Sequence, residues 1–317
     1  MNTRLLNSAS AAGCERIFTG PGAVYAALGA SLAGARALAV LDNYAEFPDS
    51  RVTGGVVVAM PGAGEGYPSL AAAFAASERE DRPVAIPLGA EYAAEQAGYL
   101  PPKYRKQPER FVQPCAREVM CPGCPYRAAF YLASKLWLRT IAGGGCSLLG
   151  AKRPFLALDA AWGRGTALAA LSGFISAMPE ARRDTIAVCG ADEAGADGLE
   201  LLAESGGVAM LVGEQEIKTP RGVEAVELGA YDVNAMGSAL KSALAGEGAA
   251  LILCRGGCGR AGEARYRVDA NRCRRCGACG RLGCPAISGR SPVIDPAGCV
   301  GCGLCAAVCK CSAIVEA

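Results

Sequence analysis

The chain contains no histidine among its 317 residues. That absence excludes Ser-His-Asp and Cys-His catalysis, Rieske clusters, histidine-ligated haem and most catalytic zinc sites, because each of them needs an imidazole. Strong charge is also lacking, since the formal net charge is only +2. A globally basic nucleic-acid-binding protein is therefore not expected.

Long apolar runs are missing as well. No 18-residue apolar segment and no secretory signal pattern is found, so we expect a cytoplasmic protein without a membrane span. Apolar residues nevertheless make up 51% of the chain, which is enough to fill sizeable cores. The length predicts two or three domains.

Cysteine is abundant, with 17 residues. In an unexported chain these thiols are not expected to form disulfides, because a reducing cytosol keeps them free for metal or redox chemistry. They are therefore predicted to be ligands or small buried side chains.

Alternating short β runs and helices predict an α/β fold. In the first part of the chain, strands are predicted at 37–41, 55–60 and 84–88, and helices at 24–34 and 69–77. A proline-rich, charged stretch at 101–114 is predicted to be a linker.

A second α/β unit follows the linker. Helices are predicted at 127–138, 166–175 and 235–244, and strands at 185–188, 208–212 and 249–253. This spacing favours a mostly parallel sheet with both faces covered. After Arg260, cysteine, glycine and arginine dominate, so we predict domains at 1–112, 113–262 and 263–317.

Eight cysteines near the carboxyl terminus have the spacing of a two-cluster bacterial-type ferredoxin. They are Cys273, Cys276, Cys279, Cys284, Cys299, Cys302, Cys305 and Cys309. Three cysteines two residues apart wrap one cube, and the fourth reaches the other cube. The predicted [4Fe–4S] ligand sets are Cys273, Cys276, Cys279 and Cys309, and Cys284, Cys299, Cys302 and Cys305.

The alternative for these cysteines is a pair of zinc sites, although zinc usually needs only four cysteines in two pairs. The sequence departs from the ferredoxin pattern at Lys310, where a proline is usual, and Cys311 offers a competing thiolate. Arginines outnumber acids around the first cluster. They form either an ordinary solvated surface or a surface that guides an acidic electron-transfer partner.

A further motif, Cys121-Pro122-Gly123-Cys124-Pro125-Tyr126-Arg127, precedes a Gly145-Cys146 pair. Together with the carboxyl-terminal cysteines, it resembles the large subunit of indolepyruvate ferredoxin oxidoreductase, a thiamine-diphosphate 2-oxoacid:ferredoxin oxidoreductase. The resemblance covers most of the chain. Residues 29–36 and 164–174 are similar to parts of that family's pyrimidine and diphosphate domains.

The resemblance implies two thiamine-enzyme-like parallel-sheet domains followed by a small ferredoxin-like α+β module. It also implies a third [4Fe–4S] cluster held by Cys121, Cys124, Cys146 and Cys258. The alternative is that these four are isolated buried thiols or a zinc site. The remaining Cys14, Cys115, Cys189 and Cys254 match nothing and are interpreted as core or surface thiols.

Several residues depart from the family's pattern. Its thiamine-activating glutamate falls near Gly20, and its magnesium-binding turns fall on Gly190-Ala191-Asp192 and Val212-Gly213-Glu214. Asp192 and Glu214 are thus the only candidates for holding thiamine diphosphate and magnesium, each one residue displaced or of another type. The histidine of the family's CPGCPHR motif is Tyr126 here.

These departures predict an iron–sulfur electron-transfer protein or subunit on a degenerate scaffold, with no catalytic residue of its own. The alternative is an active thiamine-dependent aryl-pyruvate:ferredoxin oxidoreductase subunit, and a third possibility is that the clusters only stabilise a small module. The expected partners are a ferredoxin-like or other redox protein and a second oxidoreductase subunit.

Overall fold

The computed structural model describes residues 3–48, 53–62, 66–96, 98, 111–112, 118–259, 262 and 264–317. Its helices are α1 (Thr3–Ala11), α2 (Ala23–Leu32), α3 (Leu70–Glu80), α4 (Tyr126–Lys135), α5 (Ala167–Ala177), α6 (Ala196–Ser205), α7 (Val233–Ala245) and α8 (Leu304–Ala307). Its first strands are β1 (Arg16–Thr19), β2 (Ala37–Val40), β3 (Val56–Met60), β4 (Val84–Pro87), β5 (Phe111–Val112), β6 (Arg139–Ala142), β7 (Ala160–Ala161) and β8 (Thr185–Gly190). The others are β9 (Val208–Val212), β10 (Glu224–Gly229), β11 (Ala250–Arg255), β12 (Tyr266–Val268), β13 (Ile287–Ser288), β14 (Val293–Ile294) and β15 (Ile314–Glu316).

The chain divides into two compact units that interleave along the sequence. Unit 1 comprises Met1–Phe111, Thr166–Arg183 and Gly195–Gly207, and unit 2 comprises Val112–Gly165, Asp184–Ala194 and Val208–Ala317. The division at 1–112, 113–262 and 263–317 remains a prediction.

Unit 1 contains a four-stranded parallel sheet in the order β1-β2-β3-β4. The strands β2 and β3 are fully buried, as expected for a parallel sheet covered on both faces. Helices α2 and α5 approach each other at glycines. A Cβ on Gly29 would lie 1.8 Å from the Ala170 carbonyl oxygen, and one on Gly173 would lie 1.8 Å from that of Ala26. Only glycine permits this backbone approach.

Unit 2 contains a seven-stranded sheet in the order β10-β11-β9-β8-β6-β7-β5. The pairs from β10 to β7 are parallel, so the carboxyl ends of these strands lie along one edge of the sheet. The central strands β8 and β9 are buried along their whole length. Ligands of such sheets bind at the carboxyl edge.

The last part of unit 2 is a small α+β segment. The strand β12 pairs antiparallel with β15, and β13 pairs antiparallel with β14. The buried side chains of Leu282, Leu304 and Val308 belong to the main core of unit 2. The cysteine-rich segment is therefore packed onto the sheet unit rather than tethered to it.

The predicted α/β class, with parallel sheets and a small α+β module, is confirmed. Four strands of the larger sheet were not predicted from the sequence, namely β5, β6, β7 and β10, and β1 of the smaller sheet was missed as well. Helices α1 and α6 were also missed. The predicted linker lies outside the described residues except for Phe111–Val112, which form β5. None of the described helices is both long and apolar enough to cross a membrane.

Candidate iron–sulfur site

One group of thiols lies around Cys305. Burial is the main reason why the pKa of the Cys305 thiol is raised to about 12, and negative charge on three neighbouring thiols contributes to that shift. Those neighbours are Cys302, Cys284 and Cys299. Burial likewise raises the pKa of Cys302, which also feels the charges of Cys284 and Cys299. The structure thus brings together the four cysteines that the spacing assigns to one cluster.

A second group lies around Cys279. Burial raises the pKa of this thiol, and the charges of Cys309 and Cys273 raise it further. The Ala313 N–H donates to the Cys309 sulfur at 3.3 Å. The predicted fourth member, Cys276, is exposed.

The competing thiol Cys311 lies next to this second group. Its sulfur is 3.7 Å from that of Cys309. Two hydrogen bonds lower the pKa of Cys311: the larger effect comes from the Arg274 backbone and the smaller one from the Cys309 side chain. Proximity alone therefore does not separate Cys309 from Cys311 as the ligand.

A third group lies around Cys124 in the amino-terminal part of unit 2. Burial is the main reason why the pKa of the Cys124 thiol is raised to about 11, and charges on Cys146 and Cys258 also raise it. The Tyr126 backbone and the Arg127 charge act in the opposite direction. The Cys124 N–H donates to the Cys121 carbonyl at 3.1 Å, which closes the Cys-x-x-Cys turn. All four cysteines named by the resemblance therefore lie on neighbouring segments.

Three different segments carry this third group. The Cys-x-x-Cys turn immediately precedes α4, Cys146 follows β6 through the positive-φ Gly145, and Cys258 follows β11. The Tyr231 hydroxyl donates to the carbonyl of Gly123 at 2.8 Å or of Gly257 at 3.2 Å. Tyr231 thereby holds the Cys-x-x-Cys turn beside the Cys258 loop.

The described side chains do not form a ready-made site for a single metal ion. Within the part of the chain that the structure describes, no three Cys, Asp or Glu side chains converge to hold one ion. A zinc site requires such convergence, whereas each thiolate around a [4Fe–4S] cluster binds a separate iron.

Arg127 lies between the third group and the Cys305 group. This buried guanidinium donates from Nη1 to the Leu282 carbonyl at 2.5 Å, and from Nη2 to the carbonyls of Met120 at 2.9 Å and Cys121 at 2.6 Å. Its charge lowers the pKa of both Cys124 and Cys302, against the larger effect of burial. From the sequence, Arg127 was noted only as part of the Cys-x-x-Cys motif, and this role was not predicted.

The candidates for holding thiamine diphosphate lie at the carboxyl edge of the larger sheet. Gly190 at the end of β8 pairs with Val212 at the end of β9, so Asp192 and Glu214 follow neighbouring strand ends. Asp192 forms an ion pair with Arg164, with 2.5 Å between Oδ2 and Nη2. Glu214 is exposed and lines a cleft of about 610 Å³.

The residues present do not fit a diphosphate group at this edge. The buried Glu193 already accepts the Gly144 N–H at 2.9 Å, so a carboxylate lies where an anion would bind. Asp192 adds a second negative charge and is paired with Arg164.

Two carboxylates in unit 1 were not considered in the sequence analysis. Asp42 and Glu46 line the same cleft as Gly20, the position near which the family's glutamate falls. Both are exposed. Sequence counting along α2 could not find them, because they follow β2 and approach Gly20 only in the folded unit.

The remaining thiols show different degrees of burial. Burial raises the pKa of Cys189, and nearby Glu193 and Asp192 add to that shift. Burial also raises the pKa of Cys254 to about 12 and that of Cys14 to about 11. Cys189 and Cys254 lie in the core, Cys14 is partly buried, and Cys115 lies outside the described residues.

No protein-family model matches the chain. The chain is 26% identical over 248 residues to "Indolepyruvate oxidoreductase subunit IorA" from Methanothermobacter thermautotrophicus. This match covers 62% of the present chain but only 39% of that protein. A thiamine diphosphate-dependent 4-hydroxybenzoylformate decarboxylase from Rhodococcus jostii covers 80% of the chain and 64% of its own, with 14% identity and a TM-score of 0.33.

Proposed function

We propose that the chain is an electron-transfer protein or subunit that holds two carboxyl-terminal [4Fe–4S] clusters and a third beside α4. The observation that carries the proposal is the grouping of the thiols in space. Cys284 ends the first run of cysteines in the sequence, yet it lies close enough to Cys302 and Cys305 of the second run to raise the pKa of both. This crossing is what a two-cluster ferredoxin framework requires.

In this proposal the clusters supply outer-sphere transfer of single electrons when bound. The protein's own contribution is to fix the thiolates, exclude water and donate backbone hydrogen bonds to sulfur, which tune the reduction potential. The Ala313 N–H at the Cys309 sulfur is one such donor. No side chain is needed as an acid or base.

Arg127 supports a connection between the third cluster and the cluster of the Cys305 group. Its guanidinium binds the Cys121 carbonyl on one side and the Leu282 carbonyl, two residues before Cys284, on the other. A rigid, buried link between two ligand loops keeps the electron-transfer distance fixed. The positive charge also stabilises the thiolates on both sides.

Calorimetric titration of the anaerobically purified chain with thiamine diphosphate and magnesium tests the proposal that the chain does not bind this cofactor. We expect no heat of binding from a preparation with intact clusters. Binding in the micromolar range, about 8 kcal/mol, would overturn this part of the proposal. Iron content and visible absorbance of the same sample establish that the protein was loaded.

A second candidate function is an active thiamine-dependent 2-oxoacid oxidoreductase subunit. The similarity to a protein named an indolepyruvate oxidoreductase subunit favours it, as do Asp42 and Glu46 beside Gly20. Reduction of a dye by an aryl-pyruvate, dependent on added thiamine diphosphate, would support this candidate. Loss of that activity in an Asp42→Asn or Glu46→Gln variant would then identify the activating carboxylate.

The proposed partners follow from the chemistry of an electron carrier. A carrier needs a donor and an acceptor, so we infer a second oxidoreductase subunit and a soluble ferredoxin-like protein. The distant relative is itself named as a subunit. Exposed arginines near the Cys279 group, among them Arg272, Arg274 and Arg275, would attract an acidic partner.

A further inference from the structure

Glu193 is a buried carboxylate that binds the backbone of three separate loops. Oε2 accepts the Gly144 N–H at 2.9 Å and the Gly165 N–H at 3.1 Å, and Oε1 accepts the Gly190 N–H at 3.4 Å. The residue is only 8% exposed. Its charged group is therefore satisfied by backbone donors rather than by water.

The three loops follow three neighbouring strands. In the larger sheet β8, β6 and β7 are adjacent, and Gly144, Gly165 and Gly190 lie at or just after their carboxyl ends. Converging backbone N–H groups at this edge form a cradle for an anion, particularly where glycine allows close approach. A Cβ on Gly143 would lie 2.2 Å from Oε2 of Glu193, so the carboxylate rests directly against the loop backbone.

We propose that Glu193 is an internal anion that occupies this cradle in place of a bound phosphate or diphosphate group. The carboxylate uses the N–H groups that such a ligand would need, and its charge, together with that of Asp192, repels an incoming oxyanion. This inference deepens the proposed function, because it gives a physical reason why the chain holds no thiamine diphosphate.

The same contacts give Glu193 a second consequence for the proposed third cluster. The loop held at Gly144 continues directly through Gly145 to Cys146. In a protein that binds a phosphate-containing cofactor in this cradle, the cofactor would order the loop only while it is bound. Here the Glu193 side chain holds the loop at Gly144, two residues before Cys146.

The test compares the full-length chain with Glu193→Ala and Glu193→Gln variants, measuring the thermal midpoint with and without inorganic phosphate or diphosphate. We expect the unsubstituted chain to be unaffected by millimolar concentrations of either anion. Glu193→Ala should lose several degrees, because three backbone donors lose their acceptor, and added diphosphate or phosphate should restore part of that loss. Equal concentrations of chloride should not.

Glu247→Ala is the matched control, because Glu247 is an exposed glutamate of the same unit. It should change neither the midpoint nor the response to anions. Stabilisation of the unsubstituted chain by diphosphate, or a Glu193→Ala variant that no oxyanion stabilises, would overturn the inference.

A Glu193→Ala variant that fails to fold would still leave a decisive measurement. Glu193→Gln keeps the shape but has one oxygen, so its NH2 group must face either the Gly190 amide or the Gly144 and Gly165 amides. Hydrogen exchange at the amides that lose their acceptor should accelerate by at least tenfold relative to the unsubstituted chain. Unchanged exchange would reject the role of the carboxylate. Iron content measured on the same samples separates this outcome from failure of the proposed cluster function, which would appear in every variant.

Discussion

Replacing Arg127 by methionine removes the buried link between two proposed cluster-binding loops. Three carbonyl groups lose a charged donor, and those of Met120 and Leu282 belong to residues that are 3% and 1% exposed. Each buried acceptor left unsatisfied costs about 1–3 kcal/mol. The Cys121 carbonyl belongs to an exposed residue, so water can replace its donor at little cost.

Part of this loss is offset, because the arginine itself is not fully satisfied. Among the described residues its Nε is a buried nitrogen with no hydrogen-bond partner. Removing that group recovers some desolvation free energy, and methionine fills part of the volume. We therefore expect a net destabilisation of about 2–4 kcal/mol, which corresponds to roughly 5–10 °C in the thermal midpoint.

The assay is thermal unfolding of anaerobically prepared Arg127→Met, Arg127→Lys and Arg281→Met proteins, followed by redox titration. Lysine keeps the charge but lacks the planar fork, so it should lose stability while largely retaining the reduction potentials. Methionine should also lower the potentials, because the positive charge near Cys124 and Cys302 stabilises the reduced state. Arg281 is exposed, so its replacement should stay within about 0.5 kcal/mol. Unchanged stability and potentials in Arg127→Met would refute the reasoning.

Three further predictions concern other parts of the chain. Burial raises the pKa of Cys14 from 9.0 to about 11, so this thiol ionises at a lower pH in the unfolded chain than in the folded one. The free energy of unfolding should therefore fall between pH 9 and 11, by up to about 2 kcal/mol. Urea titration at these pH values should show a smaller fall for the Cys14→Ala variant. Gly173→Ala should lower stability by at least about 1–3 kcal/mol in the same assay because its Cβ meets the Ala26 carbonyl, whereas Gly195→Ala, with nothing within 4 Å, should not. Replacing Arg272, Arg274 and Arg275 by glutamate should slow stopped-flow electron transfer to an acidic ferredoxin and weaken the salt dependence, and an unchanged rate would contradict a guiding role for these arginines.

Much of the fold could be predicted from local sequence patterns. The strands β2, β3, β4 and β9 are continuous apolar runs, and such runs are typical of parallel strands buried on both faces. The strand β10 was missed because its residues are mostly exposed, with Glu224 and Glu227 interrupting the pattern. The strand β6 was missed because its short run begins with Arg139 and directly precedes a glycine turn.

Only part of the candidate site could be predicted from the sequence. Cysteine spacing carries information about ligands because a cluster constrains the chain locally, and the proximity of Cys284 to Cys302 is consistent with that reasoning. The roles of Arg127 and Glu193 could not be read from spacing. Their partners, Leu282 for the first and Gly144 for the second, are distant in sequence and meet only in the folded unit.

The most direct test of the central claim is the iron and acid-labile sulfide content of the anaerobically purified chain, with electron paramagnetic resonance after reduction. We expect about twelve irons per chain with matching sulfide, and signals from reduced [4Fe–4S] clusters. A preparation that contains zinc instead, or iron without labile sulfide, would contradict it.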